Sequence, residues 1–511
     1  GNNGDQRRMD IADEQIDTIG RAVLGQTLGC ARCHDHKFDP VPTEDYYALA
    51  GILTSTEVME NRYMLGQQRL MEQLIGLGAE GSNADQEYER YWRERPALQA
   101  RIKAAKSAID LLKENKLDEL AEHAKQHQDA VDQGVLNTQI DPQQRAALQQ
   151  ALIDDLAKQL ASPPAIPPRA MIPSDRPQPG DESVRLAGQF DRPGQRVPRG
   201  FLRVVCRGDV EIPESSSGRL ELSQWLTDAQ GGAGHLASRV FANRIWHHLM
   251  GRGLVRTVDN FGRTGEPPSH PELLDYLASR LIKNGWSIKS LIREIATSRT
   301  FAISSRYDER SYQIDPDNRL LWRANRRRLD AESFRDSLLL SAGVLDLTPM
   351  NSSVWYLGDQ ATAVGANTNR RRTDFPCRSV YLPVIRNDLP ELFDAFDFAN
   401  PHAATGMRPD TLVATQALFI MNDESLINAS QAMAERLLES TPGRTLSDQG
   451  RVELLFRQVL GTESNADECA QILAFVDRMK AEMRHQENAE RQAWSLACHA
   501  LFASSRFQTV E

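Results

Sequence analysis

The sequence predicts a mainly α-helical, multidomain protein with a long helical hairpin insertion and a small β segment. Apolar residues recur at helical spacing through most of the chain. A length of 511 residues is enough for several domains. The composition shifts at residue 66 and again at a proline-rich stretch after residue 162. We therefore expect four regions, 1–65, 66–162, 163–215 and 216–511.

The first region is predicted to contain two helices joined by a loop rich in cysteine and histidine. Apolar spacing predicts a helix over residues 10–28, with Gly29 as its stop. Asp39-Pro40 and Pro42 force a turn, after which "TEDYYALAGIL" reads as a short helix with acidic residues in its first turn. The loop between them is "GCARCHDHKFDP", residues 29–40, which we call the motif loop.

Residues 66–162 predict the helical hairpin. Apolar residues between Leu98 and Leu112 follow a heptad rhythm, and Asp141-Pro142 opens a second helix as N-cap and first helical residue. We assign Leu148, Leu152, Leu156 and Leu160 to its apolar face. His123 and His127 lie four apart in a polar stretch, which favours a solvated face over a metal site.

Residues 163–215 predict an extended connector, "SPPAIPPRAMIPSDRPQPGD", followed by short β segments in "ESVRLAGQFDRPGQRVPRGFLRVV". From residue 216 onward amphipathic helices dominate, interrupted by a predicted strand, loop and short helix in "CRSVYLPVIRNDLPELFDAFDFANP". No GxGxxG, Walker A, GxSxG or HExxH pattern occurs, so the common nucleotide-binding and hydrolase classes have no local support.

The composition limits partners and location. The net charge of −10 favours solubility and argues against a general nucleic-acid-binding role. No run approaches the roughly 18 apolar residues that cross a bilayer, so we expect no membrane span. The chain begins at Gly1 rather than Met, and we expect a processed or truncated product. The four cysteines outside the motif loop are isolated and read as small buried hydrophobes.

Three interpretations compete for the motif loop. Cys30-x-x-Cys33-His34 is the attachment pattern of haem c, in which the cysteine sulfurs bond to the haem and His34 is the proximal metal ligand. Two thiolates and a histidine also suit zinc, although no second Cys-x-x-Cys completes such a site. In the third interpretation the cysteines form a disulfide and the polar residues stabilise the loop.

Long stretches of the chain resemble a known pair of domains. These are "GRAVLGQTLGCARCHDHKFDPVPTEDYYALAGIL", "VFANRIWHHLMGRGLVRTVDNFGRTGEPPSHPELLDYLA", "DPDNRLLWRANRRRLDAESFRDSLL", "RSVYLPVIRNDLPELFDAFDFANP" and "TLVATQALFIMND". They resemble a family first described from Planctomycetes, in which a cytochrome c-like domain precedes a second domain of unknown function. The resemblance implies an exported protein, periplasmic or extracellular, that binds haem c, and it places haem ahead of zinc and a disulfide.

The chain departs from that family at its start. The family's first domain has a long helical part before the Cys-x-x-Cys-His, whereas 29 residues precede Cys30 here. The resemblance therefore implies that this part was removed or is supplied by another chain. Met59, and after it Met64, is our candidate for the distal haem ligand. An aspartate of the motif loop could orient His34, or the "FDPVP" stretch could simply anchor the loop.

A second polar concentration lies between residues 243 and 272. We predict one pocket there, with His247, His248, Asp259 and His270 as catalytic candidates: a histidine as general base, a carboxylate to orient it, and arginines to hold an anion. The alternative is that these residues bridge loops and helix ends. The basic run "RANRRRLDAE" is expected to pair with acidic neighbours.

These observations predict a c-type haem protein that acts in electron transfer or in redox chemistry, with a redox protein or an extracellular substrate as partner. The alternative, from another class, is a non-redox binding or scaffolding protein with a metal or a disulfide at the motif loop.

Overall fold

A computed structural model of the chain describes residues 2–57, 75–78, 81–162, 169–170, 172–208, 211–350, 375–382, 384, 386, 389–439 and 446–510. They form two compact units, one made of Gly1–Ser55 with Pro177–Glu511 and the other of Thr56–Arg176. Helices dominate both, so the prediction of a mainly α-helical protein of several domains is confirmed. The second unit contains the predicted insertion together with the residues that flank it.

The first unit begins with the N-terminal segment, residues 2–55. Helix α1 (Asn2–Ile19) passes directly into one π-helical turn, Gly20–Leu24. Gly25 ends this turn because it adopts a left-handed φ of 59°. The predicted stop at Gly29 therefore lies too late, and Gly29–Arg32 forms a separate 3₁₀ turn.

Helix α2 (Thr43–Thr54) follows the motif loop and is buried along almost its whole length. Its Tyr46, Tyr47 and Ile52 pack in one core with α1 and with distant residues, among them Phe201 and Trp225. The Phe201 and Trp225 rings are stacked with their centroids 5.0 Å apart. The N-terminal segment thus shares one hydrophobic core with residues that follow the insertion in sequence.

Among its described residues, the second unit has three α-helices and two short antiparallel ladders. In chain order its elements are β1 (Thr56–Glu57), β2 (Ile75–Gly76), α3 (Gly81–Lys113), α4 (Leu117–Gln126), α5 (Pro142–Ala161), β3 (Arg169–Ala170) and β4 (Ser174–Asp175). Strand β1 pairs with β4, and β2 pairs with β3. The two long helices of the predicted hairpin, α3 and α5, are present. The shorter helix α4 lies between them in sequence and packs against α3.

The buried face of α5 differs from the predicted one. The Asp141 carboxylate caps the helix, as predicted, by accepting the Gln143 N–H at 2.9 Å. Gln149 is fully buried, however, while Leu148 is 40% exposed. The Gln149 side chain donates to the carbonyls of Ala105 and Ala130 and accepts the Asp132 N–H. A buried amide can replace an apolar side chain here because both of its ends are hydrogen-bonded.

The predicted β segment is a single hairpin in the first unit. Strand β5 (Glu182–Arg185) pairs with β6 (Pro193–Val197), with an irregular register between Ser183 and Arg185. Its connection includes Ala187 and Gly188, both with positive φ. This connection lies against the motif loop, as described below.

The C-terminal region, residues 216–510, is helical. Its elements are α6 (Arg219–Thr227), α7 (Gly234–Met250), α8 (Pro271–Lys283), α9 (Ile288–Ala296), α10 (Glu309–Ile314), β7 (Arg327–Arg328), α11 (Ala331–Ala342), α12 (Glu391–Ala395), α13 (Ala414–Asn422), α14 (Glu424–Leu438), α15 (Asp448–Leu460), α16 (Ala466–Glu482), α17 (Ala489–Phe502) and β8 (Thr509–Val510). Strands β7 and β8 pair antiparallel. The strand expected near residue 380 is a 3₁₀ turn, Ser379–Tyr381.

Two cores hold this region together. Helices α7, α8 and α9 share one that includes Trp246, Leu277 and Leu291. Helices α11 to α17 share a larger one around Phe334 and Trp494. Among the helices that the structure describes, none is long and apolar enough to span a lipid bilayer.

Candidate functional site

The motif loop is held between α1 and α2 by polar contacts, some of them partly buried. The Arg32 guanidinium pairs with Asp10 at 2.7 Å and Asp13 at 2.9 Å on α1. From α2, the Tyr46 hydroxyl donates to the Asp13 carboxylate and the Tyr47 hydroxyl donates to the Arg32 carbonyl. Burial and the Asp13 contact raise the pKa of Tyr46 well above its usual range, so its hydroxyl stays a donor at any physiological pH.

Both motif cysteines are free and exposed. Cys30 lies in the 3₁₀ turn Gly29–Arg32, and Cys33 is the residue directly after it. The Cys33 N–H donates to the Cys30 carbonyl at 3.4 Å. Cys33 lies under the hairpin connection, where a Cβ added at Gly188 would be 2.5 Å from Cys33 Sγ. Glycine at that position therefore lets the hairpin approach the sulfur.

His34 is exposed, and one of its ring nitrogens is engaged. Its Nδ1 lies 2.7 Å from the Asp35 carbonyl oxygen. Because a carbonyl can only accept, Nδ1 carries the proton and Nε2 carries the lone pair. Within the described part of the chain, Nε2 has no hydrogen-bond partner. The Asp35 carboxylate does not orient His34; it accepts the Thr43 N–H at the start of α2.

His36 has the opposite arrangement. Its side chain is only 4% exposed, and its Nδ1 accepts the Asp39 N–H at 2.9 Å. The proton is therefore on Nε2, which lies 3.4 Å from the Thr27 hydroxyl. Since one nitrogen is used inside the loop and the other faces Thr27 just before it, His36 is an anchor of the loop and has no lone pair to offer a metal.

Asp39 joins the motif loop to the C-terminal region. Its Oδ1 accepts the Arg263 N–H at 2.8 Å, and a Cβ added at Gly262 would lie 2.6 Å from Oδ2. Oδ2 is buried and has no hydrogen-bond donor among the residues described. The contacts of Asp39 thus anchor the loop. Anchoring was one of the two alternatives for the "FDPVP" stretch.

Met59 and Met64, the candidates for the distal ligand, lie outside the described residues. Across the part of the chain that is described, no group of three or more His, Cys, Asp or Glu side chains is arranged to hold a metal ion. The polar pair His123 and His127 on the insertion has ring centroids 4.6 Å apart, and His123 Nε2 donates to the Ala104 carbonyl at 2.9 Å.

The second candidate site is a cleft of about 730 Å³ in the first unit, which we call the arginine cleft. His247 and His248 at the end of α7 line it together with Asp259. Seven arginines and three further aspartates of the described residues also line it, including Arg21 from the π-helical turn. The Asp259 carboxylate accepts the Gly406 N–H at 2.8 Å, which positions it at the cleft wall.

Both cleft histidines are held neutral by their surroundings. Desolvation lowers the pKa of His247, and the neighbouring His248, followed by Arg327 and Arg244, lowers it further, against a smaller opposing effect of Asp259. Desolvation and the same two arginines also lower the pKa of His248. His247 Nδ1 is buried and lacks a hydrogen-bond partner in the described part of the protein. A neutral imidazole with an unused nitrogen can accept a proton or a hydrogen bond.

His270 does not line the arginine cleft. It is the residue before α8, its Nδ1 lies 3.0 Å from the Ser269 hydroxyl, and it lines a separate cavity of about 30 Å³ with Trp246 and Glu266. The structure therefore brings three of the four catalytic candidates together and places the fourth elsewhere. Asp259 and His270 are therefore close in sequence but line different cavities.

Sequence reasoning missed the arginines that complete the cleft. Arg327 and Arg328 were expected to pair with acidic neighbours, but Arg327 Nη1 donates to the His248 carbonyl at 2.6 Å and Arg328 Nη1 to the Thr411 carbonyl at 2.6 Å. Arg408 also lines the cleft. The run of three arginines was the available signal, but its position beside α7 depends on strand β7, which the sequence pattern did not predict.

Two family models match different parts of the chain. No curated protein and no solved structure matches the chain. A family model named PSCyt2, protein of unknown function (DUF1549), matches residues 1–58, which contain the motif loop. A second, named PSD1, protein of unknown function (DUF1553), matches residues 218–476 and so covers more than half of the chain. The chain therefore belongs to the PSD1 (DUF1553) family of proteins of unknown function and carries a PSCyt2 (DUF1549) segment before that domain.

Proposed function

We propose that the chain is an exported c-type haem protein, periplasmic or extracellular, that acts in electron transfer or in redox chemistry on an extracellular substrate. In this proposal Cys30 and Cys33 hold the haem and His34 supplies the proximal nitrogen. When bound, such a haem supplies a one-electron couple whose potential is set by its axial ligands and surroundings.

The observation that carries the proposal is the orientation of the His34 ring. Histidines that bind a metal through Nε2 commonly donate Nδ1–H to a carbonyl or a carboxylate, which selects the tautomer and aims the other nitrogen. His34 has this arrangement, with Nδ1 2.7 Å from the Asp35 carbonyl and Nε2 unpartnered in the described structure. The two exposed thiols, Cys30 and Cys33, precede it in sequence at the spacing that haem attachment requires.

The fixed frame of the motif loop also favours this function. Arg32 lies between the two cysteines and is held by two aspartates of α1. The pKa of Arg32 is raised because hydrogen bonds and charge contacts with Asp10 and Asp13 outweigh desolvation, so the contact persists at every physiological pH. Electron transfer benefits from a cofactor site that does not rearrange, because the binding residues then need no reorganisation.

The experiment is mass spectrometry on protein exported from a host that attaches haem c. Trypsin cuts after Arg32 and thereby separates Cys30 from Cys33. A haem bonded to both sulfurs would keep the two fragments together after reduction, and the pair would carry the mass of one haem. Fragments that separate unmodified after reduction would refute the proposal, and fragments held together only until reduction would indicate a disulfide.

Matched variants separate haem attachment from general effects of cysteine loss. Cys30→Ala and Cys33→Ala should each abolish the doubly attached species, whereas Cys469→Ala, which removes a thiol far along the chain, should not. His34→Ala should leave the thioethers but change the absorbance spectrum of the reduced protein. Stoichiometric zinc bound through the motif thiols would favour instead the non-redox binding or scaffolding alternative.

A further inference from the structure

The arginine cleft carries positive charge that its own acidic residues do not neutralise. Arg408 is paired with Glu332 through two contacts of 2.6 and 2.8 Å, and Arg21 is paired with Asp17 at 2.8 Å. Arg244, Arg252 and Arg327 differ from these two. Among the described residues, the hydrogen-bond partners of these three are main-chain carbonyls and not carboxylates.

The aspartates of the cleft are largely engaged elsewhere. Asp259 accepts the Gly406 N–H, Asp330 caps α11 by accepting the Ser333 N–H, and Asp397 accepts the Thr411 N–H and hydroxyl. These three carboxylates are thus held by neutral donors and not by the arginines of the cleft. Arginines outnumber aspartates by seven to four among the residues that line the cleft, although the chain as a whole has a net charge of −10.

Each carbonyl contact positions a guanidinium without exhausting its donors. Arg244 Nη1 donates to the Ala22 carbonyl at 2.7 Å, and Arg327 Nη1 donates to the His248 carbonyl at 2.6 Å. A guanidinium has five N–H donors, so each retains others for a ligand. The two come from different elements, α7 and β7, and both lie close enough to His247 and His248 to lower the pKa of each histidine.

His247 lines the cleft beside these arginines. Its Nδ1 is buried and has no partner among the residues described, although buried polar atoms are nearly always hydrogen-bonded. The atom belongs to a side chain that lines the cleft. Because Nδ1 itself is not exposed, the ligand contacts that the cleft offers come from the arginines.

We propose that the arginine cleft binds a small molecule through a tetrahedral oxyanion, a phosphate or a sulfate group, held between Arg244 and Arg327. Guanidinium groups match such oxygens through paired N–H donors. A tetrahedral oxyanion suits the site better than a carboxylate because its oxygens point in several directions, and these arginines reach the cleft from separate elements. The volume of about 730 Å³ leaves space for an organic part of small-molecule size. This inference does not depend on the haem.

The test is titration calorimetry of the full-length exported protein with inorganic phosphate, sulfate and acetate at constant ionic strength. We expect saturable binding of phosphate or sulfate, and whichever binds tighter identifies the group. Arg327→Gln and Arg244→Gln should each weaken that binding about tenfold or more, because each removes a charge-assisted contact. Arg293→Gln is the control, since Arg293 is an exposed arginine on α9 outside the cleft.

The outcomes separate clearly. Absence of saturable binding, acetate binding as tightly as the tetrahedral anions, or equal affinities in Arg327→Gln and Arg293→Gln would each overturn the proposal. Circular dichroism and thermal melting confirm that each variant is folded. Should Arg244→Gln fail to fold because the Ala22 carbonyl loses its donor, Arg327→Gln decides alone, together with Arg327→Lys, which keeps the charge and should retain part of the affinity.

Discussion

Replacing Gly25 with alanine should weaken the contact between the N-terminal segment and the C-terminal region. Gly25 has a φ of 59°, and an added Cβ would lie 2.8 Å from Phe261 Cδ2 and 2.9 Å from Val240 Cγ2. Alanine in the left-handed region costs about 1–2 kcal/mol. Overpacking a core costs about 1–3 kcal/mol more. We therefore expect Gly25→Ala to lower the free energy of unfolding of the first unit by about 2–5 kcal/mol.

Gly285→Ala is the matched control. Gly285 has nearly the same backbone conformation, with a φ of 62°, but an added Cβ there would meet no atom of the described residues within 4 Å. It should therefore cost only the backbone contribution of about 1–2 kcal/mol. The difference between the two variants, about 1–3 kcal/mol, measures how closely Gly25 packs against the C-terminal region.

Hydrogen exchange followed by mass spectrometry is the decisive assay, with urea denaturation for the global free energy. The Phe261 N–H donates to the Gly25 carbonyl at 2.7 Å, so this amide reports opening of the contact. Peptides that cover residues 257–265 should exchange faster in Gly25→Ala than in Gly285→Ala or the wild type. Equal losses of stability in both variants, with unchanged exchange over residues 257–265, would refute the reasoning.

Met59→His should lower the reduction potential of the haem if Met59 is the distal ligand, and an unchanged potential in spectroelectrochemistry would exclude it. Stability should fall as the pH drops below 6.5, the ordinary pKa of histidine, because the lowered pKa of His247 makes the unfolded chain bind the proton more readily. Urea denaturation across that range should show the fall, His247→Gln should reduce it, and an identical pH profile in the variant would contradict the assignment. In haem-free native protein, iodoacetamide should label Cys30 and Cys33 but not Cys498, because burial raises the pKa of that thiol to about 12. Labelling of Cys498 before unfolding, detected by peptide mapping, would be inconsistent with its burial.

Local patterns in the sequence were sufficient for the helices and several of their ends. The Asp141-Pro142 pair starts α5 as predicted, because the capping carboxylate and the fixed φ of proline act within one turn. Gly285 follows the end of α8 for an equally local reason, its left-handed φ. The buried face of α5 could not be predicted in the same way. Gln149 is buried because three groups outside its own helix satisfy its amide.

In the candidate sites, too, some features follow from the local sequence and others from tertiary contacts. The two thiols, the histidine and their spacing lie within five consecutive residues, so the sequence alone determined which side chains the motif loop presents. Which histidine has a lone pair to offer depended on hydrogen bonds: the Asp35 carbonyl engages His34 Nδ1, whereas the Asp39 N–H and Thr27 engage both nitrogens of His36. In the arginine cleft, His247 and His248 are adjacent in the chain, and their helix sufficed to place them together. The arginines that face them, and the removal of His270 to another cavity, were decided only by the tertiary structure, because the packing of distant segments determines which charges meet.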